Sequence, residues 1–255
     1  MKVKVLGCSG SETIGHMPPG FLVNDRVMLD AGTISAALSI KGQSKITDIF
    51  ISHAHLDHIK GILFLADNII GRIKRPINIR ALPKVIDAIK KHLMNGLIWP
   101  DFTKIPTPKN PVLAYKPFPA GKTIDLDGLK VKAIPMNHPV PAVGFLVSDG
   151  RSSFIYSADT GPNEDLWAEA KKVKNLKGII VDTSFPNSMD FVAGLSGHFT
   201  PAQLHADLTK AKVRNSVPIY IYHIKPVHKK RVIKELNALG RKNVKVLQEG
   251  KIYTF

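Results

Sequence analysis

The chain has 255 residues, of which 36 are basic and 20 acidic, so its formal net charge is +16 at neutral pH. Hydrophobic residues make up 44% of it, which is enough for a substantial core, and no apolar run is long enough to span a membrane. The N-terminal segment lacks the apolar region of a signal peptide, and the single cysteine, Cys8, excludes an internal disulfide. These features predict a cytoplasmic protein and exclude membrane-spanning and disulfide-stabilised classes.

Predicted strands and helices alternate along the first half of the chain. Strands are expected near Lys2–Leu6, Phe21–Val23, Val27–Leu29, Ile46–Ser52 and Ile77–Arg80. Helices are expected near Ile34–Lys41, Asp57–Ala66 and Lys84–Asn95. The proline-rich segment from Trp99 to Pro119 predicts an ordered, non-helical excursion.

The second half repeats this alternation, which predicts an α/β fold in a single domain covering residues 1–255. Strands are expected near Lys130–Ile134, Val143–Val147, Ser153–Ser157, Gly178–Val181 and Ile219–Tyr222. Helices are expected near Glu164–Lys172, Ala202–Lys212 and Lys229–Leu239. We expect the last two strands, Val244–Leu247 and Ile252–Phe255, to pair with each other and close the fold.

The hexapeptide His53-Ala54-His55-Leu56-Asp57-His58 is the most informative segment, because it places three imidazoles and a carboxylate between a buried strand and a helix. In an extended turn, residues two apart project to the same side, so His53 and His55 can bind one ion. Asp57 and His58 begin the helix and are expected to face a second ion nearby. Imidazole and carboxylate ligands suit zinc, manganese or iron.

Further candidate ligands follow later strands. His138 comes after the strand near Lys130–Ile134, Asp159 ends the segment after Ser153–Ser157, and His223 directly follows Ile219–Tyr222. Sites form where loops collect at strand ends, so we expect these three side chains to meet the hexapeptide.

The order H-x-H-x-D-H, then His, Asp and His, resembles the metallo-β-lactamase superfamily. Segments Leu6–Gly10 and Met28–Gly32 are also similar to that superfamily. The resemblance implies a four-layer αββα sandwich with two metal ions at one edge. It implies that one metal is held by His53, His55 and His138. It implies that the other is held by Asp57, His58 and His223, with the carboxylate of Asp159 bridging the two.

Within the superfamily, the sequence is most similar to class II cyclic-nucleotide phosphodiesterases. The similarity is carried by the hexapeptide and by the segments Ile98–Pro106, Asp182–Asn187, Ser196–Pro201 and His223–Pro226. The family's small polar residue after the hexapeptide is not obvious in Leu63–Ala66. The transfer-RNA 3′-processing enzyme tRNase Z is the next nearest, although no long Gly/Pro-rich insertion like its RNA-gripping arm is visible.

The resemblance implies a dinuclear metal-dependent hydrolase acting on 3′,5′-cyclic nucleotides such as cAMP and cGMP. Two adjacent dications, with zinc as the first candidate, lower the pKa of a bridging water, and the resulting hydroxide is expected to attack phosphorus. Asp57 is expected to orient this water or take its proton. His198, a histidine outside the predicted ligand set, is expected to protonate the leaving oxygen, and Lys225 to contact phosphate.

Two alternatives remain open. One is a tRNase Z-like ribonuclease, and the other is a basic nucleic-acid-binding protein whose metal site is structural. Residues 201–255 contain 12 basic and 3 acidic residues, a balance that suits both phosphodiester substrates and nucleic acid. The expected partners are therefore a small phosphodiester and, by charge, nucleic acid. No membrane partner is expected, and the sequence is compatible with a homodimer.

Overall fold

The computed structural model describes residues 1–255, and its strands form two seven-stranded sheets and one short two-stranded ribbon. The strands are β1 (Lys2–Gly7), β2 (Gly20–Val23), β3 (Val27–Leu29), β4 (Asp48–Phe50), β5 (Ile77–Ala81), β6 (Pro106–Thr107), β7 (Asn110–Pro111), β8 (Leu113–Pro117), β9 (Thr123–Leu126), β10 (Leu129–Pro135), β11 (Val143–Ser148), β12 (Ser153–Tyr156), β13 (Leu176–Asp182), β14 (Ile219–Tyr222), β15 (Val244–Val246) and β16 (Ile252–Thr254).

Eight α-helices connect or follow these strands. They are α1 (Ile40–Gln43), α2 (Leu56–Ile59), α3 (Gly61–Ile69), α4 (Pro83–His92), α5 (Glu164–Lys172), α6 (Asp190–Ser196), α7 (Pro201–Lys210) and α8 (Lys229–Ala238). None of them is both long and apolar enough to cross a bilayer.

The two large sheets share one plan, in which antiparallel strands lead into parallel ones. The first sheet has the order β16-β1-β2-β3-β4-β5-β8 and the second β15-β14-β13-β12-β11-β10-β9. Strands β3, β4, β5 and β8 run parallel in the first, as do β12 to β15 in the second. Parallel strands deliver their carboxyl ends to the same edge, so the loops that follow them are brought together.

The sheets pack face to face through apolar side chains on alternate strand positions. Phe21 of β2 meets Tyr156 of β12 with ring centroids 4.8 Å apart, and meets Tyr222 of β14 at 5.7 Å. Helices α3 and α4 cover the outer face of the first sheet, and α5, α7 and α8 cover that of the second. This arrangement is the four-layer αββα sandwich that the sequence predicts, and the prediction is confirmed.

The start of α7 follows from local sequence. The Thr200 side chain accepts a hydrogen bond from the Gln203 backbone N–H, and the Gln203 side chain accepts one from the Thr200 N–H. Pro201 occupies the first turn, where no backbone donor is needed. This capping box fixes the segment that precedes the helix, including His198.

Two predicted features are wrong. The helix expected over Ile34–Lys41 is only α1, because Ser39 adopts an extended conformation and caps a new helix at its own position. The terminal strands do not pair with each other: β15 extends the second sheet beside β14, and β16 extends the first beside β1. Each satisfies the backbone groups of an open sheet edge, which a local pattern does not reveal.

Candidate metal centre

The candidate ligands all lie directly after strands, at the edge where the parallel strands end. The segment after β4 runs extended to His55, which begins α2, so the hexapeptide bends sharply at the edge of the first sheet. His138 follows β10, Asp159 follows β12 and His223 follows β14, all from the second sheet. The packing of the two sheets therefore brings these seven side chains to one place.

The first group consists of His53, His55 and His138. Their potential ligand nitrogens all lie within 4.8 Å of one another. His138 Nε2 is 3.3 Å from His55 Nδ1, and the His53 and His55 rings are 4.6 Å apart. His53 is fully buried, and burial together with the neighbouring His58 lowers its pKa well below the ordinary value. It is therefore neutral, with a ring nitrogen free to bind a cation.

The second group consists of Asp57, His58 and His223, again with potential ligand atoms within 4.8 Å of one another. Asp57 Oδ2 is 3.4 Å from His223 Nε2 and 3.9 Å from His58 Nε2. His223 has a left-handed backbone with φ of 65°, and its N–H donates to the Cys8 carbonyl over 2.7 Å. A non-glycine residue in this conformation is uncommon and is held by its surroundings.

Asp159 lies between the two groups. Its Oδ2 is 3.7 Å from His53 Nε2 and 3.3 Å from both His58 Nε2 and His223 Nε2. The Tyr222 hydroxyl donates to the other oxygen, Oδ1, over 2.8 Å. Burial favours the neutral acid, but His223 and His58 outweigh it and hold the pKa of Asp159 well below its usual range. The side chain is therefore a buried carboxylate that faces both groups.

The chemistry of this cluster fits divalent metal ions. His53 Nε2 and His58 Nε2 are buried and have no hydrogen-bond partner, and an unpaired buried polar atom is costly. Burial opposes a charged His58, but the carboxylates of Asp159 and Asp30 outweigh it and raise the pKa of His58 well above its ordinary value. The centre thus stabilises positive charge, which a divalent cation supplies while accepting the free nitrogen lone pairs.

Asp30, fully buried at the end of β3, supports the ligands of the first sheet. Its Oδ2 accepts hydrogen bonds from His58 Nδ1–H at 2.7 Å, from the Ser52 hydroxyl at 2.8 Å and from the Tyr156 hydroxyl at 2.6 Å. Because Ser52 donates its proton to Asp30, its oxygen accepts from His53 Nδ1–H at 2.9 Å. Both imidazoles are thereby held with Nε2 unprotonated and turned toward Asp159.

Asp182, at the end of β13, repeats this arrangement in the second sheet. The Ser184 hydroxyl donates to Asp182 Oδ1 over 2.7 Å and accepts from His223 Nδ1–H over 2.9 Å. The other oxygen, Oδ2, accepts from His198 Nδ1–H over 2.6 Å. Sequence reasoning missed the supporting roles of Asp30 and Asp182, although each carboxylate stands at a strand end as Asp159 does.

The predicted catalytic residues lie in different settings. His198 is buried beside the centre, with its ring 5.0 Å from that of His223 and 5.4 Å from that of His138. The Lys225 ammonium instead donates to the Gly10 carbonyl and lies 6.0 Å from the Phe185 ring centroid. The structure therefore brings His198 to the cluster, whereas the substrate contact expected of Lys225 stays a prediction.

Comparison with known proteins places this geometry in a family. Residues 25–221 match the model of the beta-lactamase superfamily domain. A protein of Yersinia pestis named as a probable 3′,5′-cyclic-nucleotide phosphodiesterase is 27% identical over 88% of this chain and 78% of its own length. Ribonuclease Z of Methanococcus maripaludis is 30% identical over 65% of this chain and 54% of its own length.

Solved structures agree on the fold. The crystal structure of unliganded yeast PDE1 superposes with a TM-score of 0.84 at 20% identity, covering 100% of this chain and 99% of that one. The chain belongs to the beta-lactamase superfamily, and it is an enzyme of that hydrolase family, as the sequence predicts.

Proposed function

We propose that the chain is a phosphodiesterase that hydrolyses 3′,5′-cyclic nucleotides with two divalent metal ions. The observation that carries the proposal is Asp159 Oδ2, a buried carboxylate oxygen within 3.7 Å of three imidazole nitrogens from both ligand groups. One carboxylate shared by two groups is the arrangement that two adjacent cations require. The name of the Yersinia pestis relative supports the cyclic-nucleotide substrate.

The proposed ligands divide into two sets with a shared member. One ion would be held by His53, His55, His138 and Asp159, and the other by Asp57, His58, His223 and Asp159. Zinc is our first candidate, and manganese or iron accept the same ligand atoms. When bound, such a pair of ions polarises a phosphodiester and lowers the pKa of a coordinated water toward neutrality.

Asp57 is proposed to orient the attacking water. Burial favours the neutral acid, but the hydrogen bond from His223 and the charge of His58 hold the pKa of Asp57 well below its usual range. Its side chain is partly exposed, whereas the supporting carboxylates Asp30 and Asp182 are fully buried. At neutral pH it is therefore an ionised, accessible acceptor for a water proton at the centre.

His198 is proposed to protonate the leaving oxygen. Burial favours the neutral ring, but the Asp182 carboxylate at 2.6 Å outweighs it and raises the pKa of His198 above its ordinary value. The imidazole therefore retains a proton at neutral pH, and Asp182 holds Nδ1–H so that Nε2 is the donor left for substrate. Lys225 is proposed to add positive charge for the phosphate at the same side.

A second candidate is 3′ processing of transfer RNA, which the ribonuclease Z relative favours. The net charge of +16 would also attract a polyanion. The length of this chain leaves little room for a separate RNA-gripping arm, since the two sheets and their covering helices use most of it. Cyclic nucleotides therefore remain the first proposal.

A substrate panel tests this function. Purified protein loaded in turn with zinc, manganese and iron(II) is incubated with cAMP, cGMP, bis(p-nitrophenyl) phosphate and precursor transfer RNA. We expect cyclic nucleotides to be converted to monophosphates, and His53→Ala to abolish both metal binding and turnover. Cleavage of precursor transfer RNA without cyclic-nucleotide hydrolysis would favour the second candidate, and no turnover with any metal would favour a binding protein.

A further inference from the structure

One side of the metal centre is flanked by an unusually apolar surface. We define the apolar crescent as the exposed side chains Leu56, Phe64, Leu97, Ile98, Phe191, Val192 and Leu195. Leu97 is 87% exposed and Phe191 77% exposed. Contiguous apolar surface of this kind on a folded chain usually marks a contact site.

The two halves of the crescent meet at the metal centre. Leu56 lies within the hexapeptide, between two proposed ligands, while α6 carries Phe191 and Leu195 and ends just before Gly197. His138 joins the halves, because its Nε2 is 3.3 Å from His55 Nδ1 and its Nδ1 donates to the Gly197 carbonyl over 3.1 Å. Whatever covers the crescent therefore borders the mouth of the centre.

The crescent also lacks the positive charge that covers the rest of the chain. Residues 61–71, 92–103, 133–150 and 178–209 contain no lysine or arginine, although the chain holds 36 of them. The nearest cation beside Leu56 is Lys60, and its ammonium is paired with the Glu12 carboxylate. Basic residues are thus excluded from every segment that builds the crescent or adjoins it.

We propose that the apolar crescent is the contact face between two copies of this chain. Nucleic acid or an anionic bilayer would be recognised by cations, and the crescent offers none. Two chains of +16 repel each other over most of their surfaces, so they can approach only where positive charge is absent. A second copy presents the same uncharged apolar face, which makes a two-fold contact self-complementary.

The contact couples assembly to the centre. Helix α6 leads directly into Gly197 and His198, and Gly197 has a left-handed backbone with φ of 67° that ends the helix. A partner packed on Phe191 and Leu195 would hold this helix in place and thereby restrain the loop that carries His198. The partner's own crescent would form one wall beside each metal centre.

The oligomeric state of the full, metal-loaded protein tests the proposal independently of its substrate. Light scattering after size exclusion is expected to give about twice the chain mass of 28.0 kDa. Phe191→Ser combined with Leu195→Ser, and separately Leu97→Ser, should shift the protein to monomer. The matched control is Val227→Ser, since Val227 is 83% exposed but lies among lysines outside the crescent, and it should remain a dimer.

Salt provides a second, sign-specific readout. Ions shorten the range of repulsion between the two positive chains, from about 10 Å at 0.1 M to about 3 Å at 1 M, so the dimer dissociation constant should fall as salt rises. A monomer at every concentration, a dissociation constant that rises with salt, or crescent variants that dimerise like the wild type would each overturn the proposal. Circular dichroism of every variant distinguishes loss of the contact from loss of the fold.

Discussion

Replacing Asp30 by asparagine tests how the ligands are positioned without touching a ligand. Asp30 Oδ2 accepts three hydrogen bonds, from Ser52, His58 and Tyr156, and Oδ1 accepts one from the Ser52 backbone N–H at 2.8 Å. An asparagine keeps one acceptor oxygen and replaces the other by an NH₂ donor. In either orientation of the amide, at least one buried donor faces another donor.

The expected effect on metal binding follows from the tautomer of His58. Without a carboxylate at Nδ1, the His58 proton can move to Nε2, where it blocks the atom turned toward Asp159. Loss of such supporting contacts typically lowers metal affinity about 10–100-fold. Stranding one buried donor should also lower the free energy of unfolding by about 1–3 kcal/mol.

Metal affinity and unfolding are measured on purified Asp30→Asn by competition with a chelating indicator and by urea denaturation of the metal-free protein. Asp48→Asn is the matched control, because Asp48 is a buried carboxylate at the opposite end of β4, paired with Arg80 at 2.6 Å. The control should lose stability but keep its metal affinity. Equal affinities in Asp30→Asn and wild type, or equal losses in both variants, would refute the reasoning.

Three further outcomes follow from the structure. His198→Ala should keep its metals while cyclic-nucleotide turnover falls roughly 10²–10⁴-fold and nitrophenyl diester turnover falls less; equal losses on both substrates would argue against a proton donor. Gly32→Ala should disrupt the centre, because a Cβ there would lie 1.9 Å from the Asp57 carbonyl oxygen, whereas Gly194→Ala meets nothing within 4 Å and should keep its metals; metal analysis of both decides this. Burial and Glu249 raise the pKa of the Cys8 thiol to about 12, so iodoacetamide at pH 8 should label the protein only after denaturation; rapid labelling of folded protein would contradict this.

The candidate ligands could be predicted from sequence because their signal is local. The hexapeptide compresses four polar groups into one turn, and His138, Asp159 and His223 each follow a recognisable apolar strand. Strand ends at one edge of a parallel sheet must converge, so the grouping of these side chains follows from the strand pattern.

The supporting network could not be predicted in the same way. Asp30 reaches Tyr156 across 126 positions of sequence, and nothing near Asp30 distinguishes a carboxylate that orients a ligand from one that is a ligand. The destinations of β15 and β16 have the same difficulty, since each strand chooses an open edge that only the assembled sheets create. Contacts of this kind depend on packing between layers, not on local spacing.

The measurement that tests the central claim most directly is a metal titration of the metal-free protein with cAMP hydrolysis as the readout. Because Asp159 is shared between two ligand groups, activity is expected to rise with added zinc and to reach its plateau at two equivalents per chain. His198→Ala should bind the same two equivalents with little turnover. A plateau at one equivalent, or cAMP hydrolysis that does not depend on metal, would contradict the dinuclear phosphodiesterase proposed for this chain.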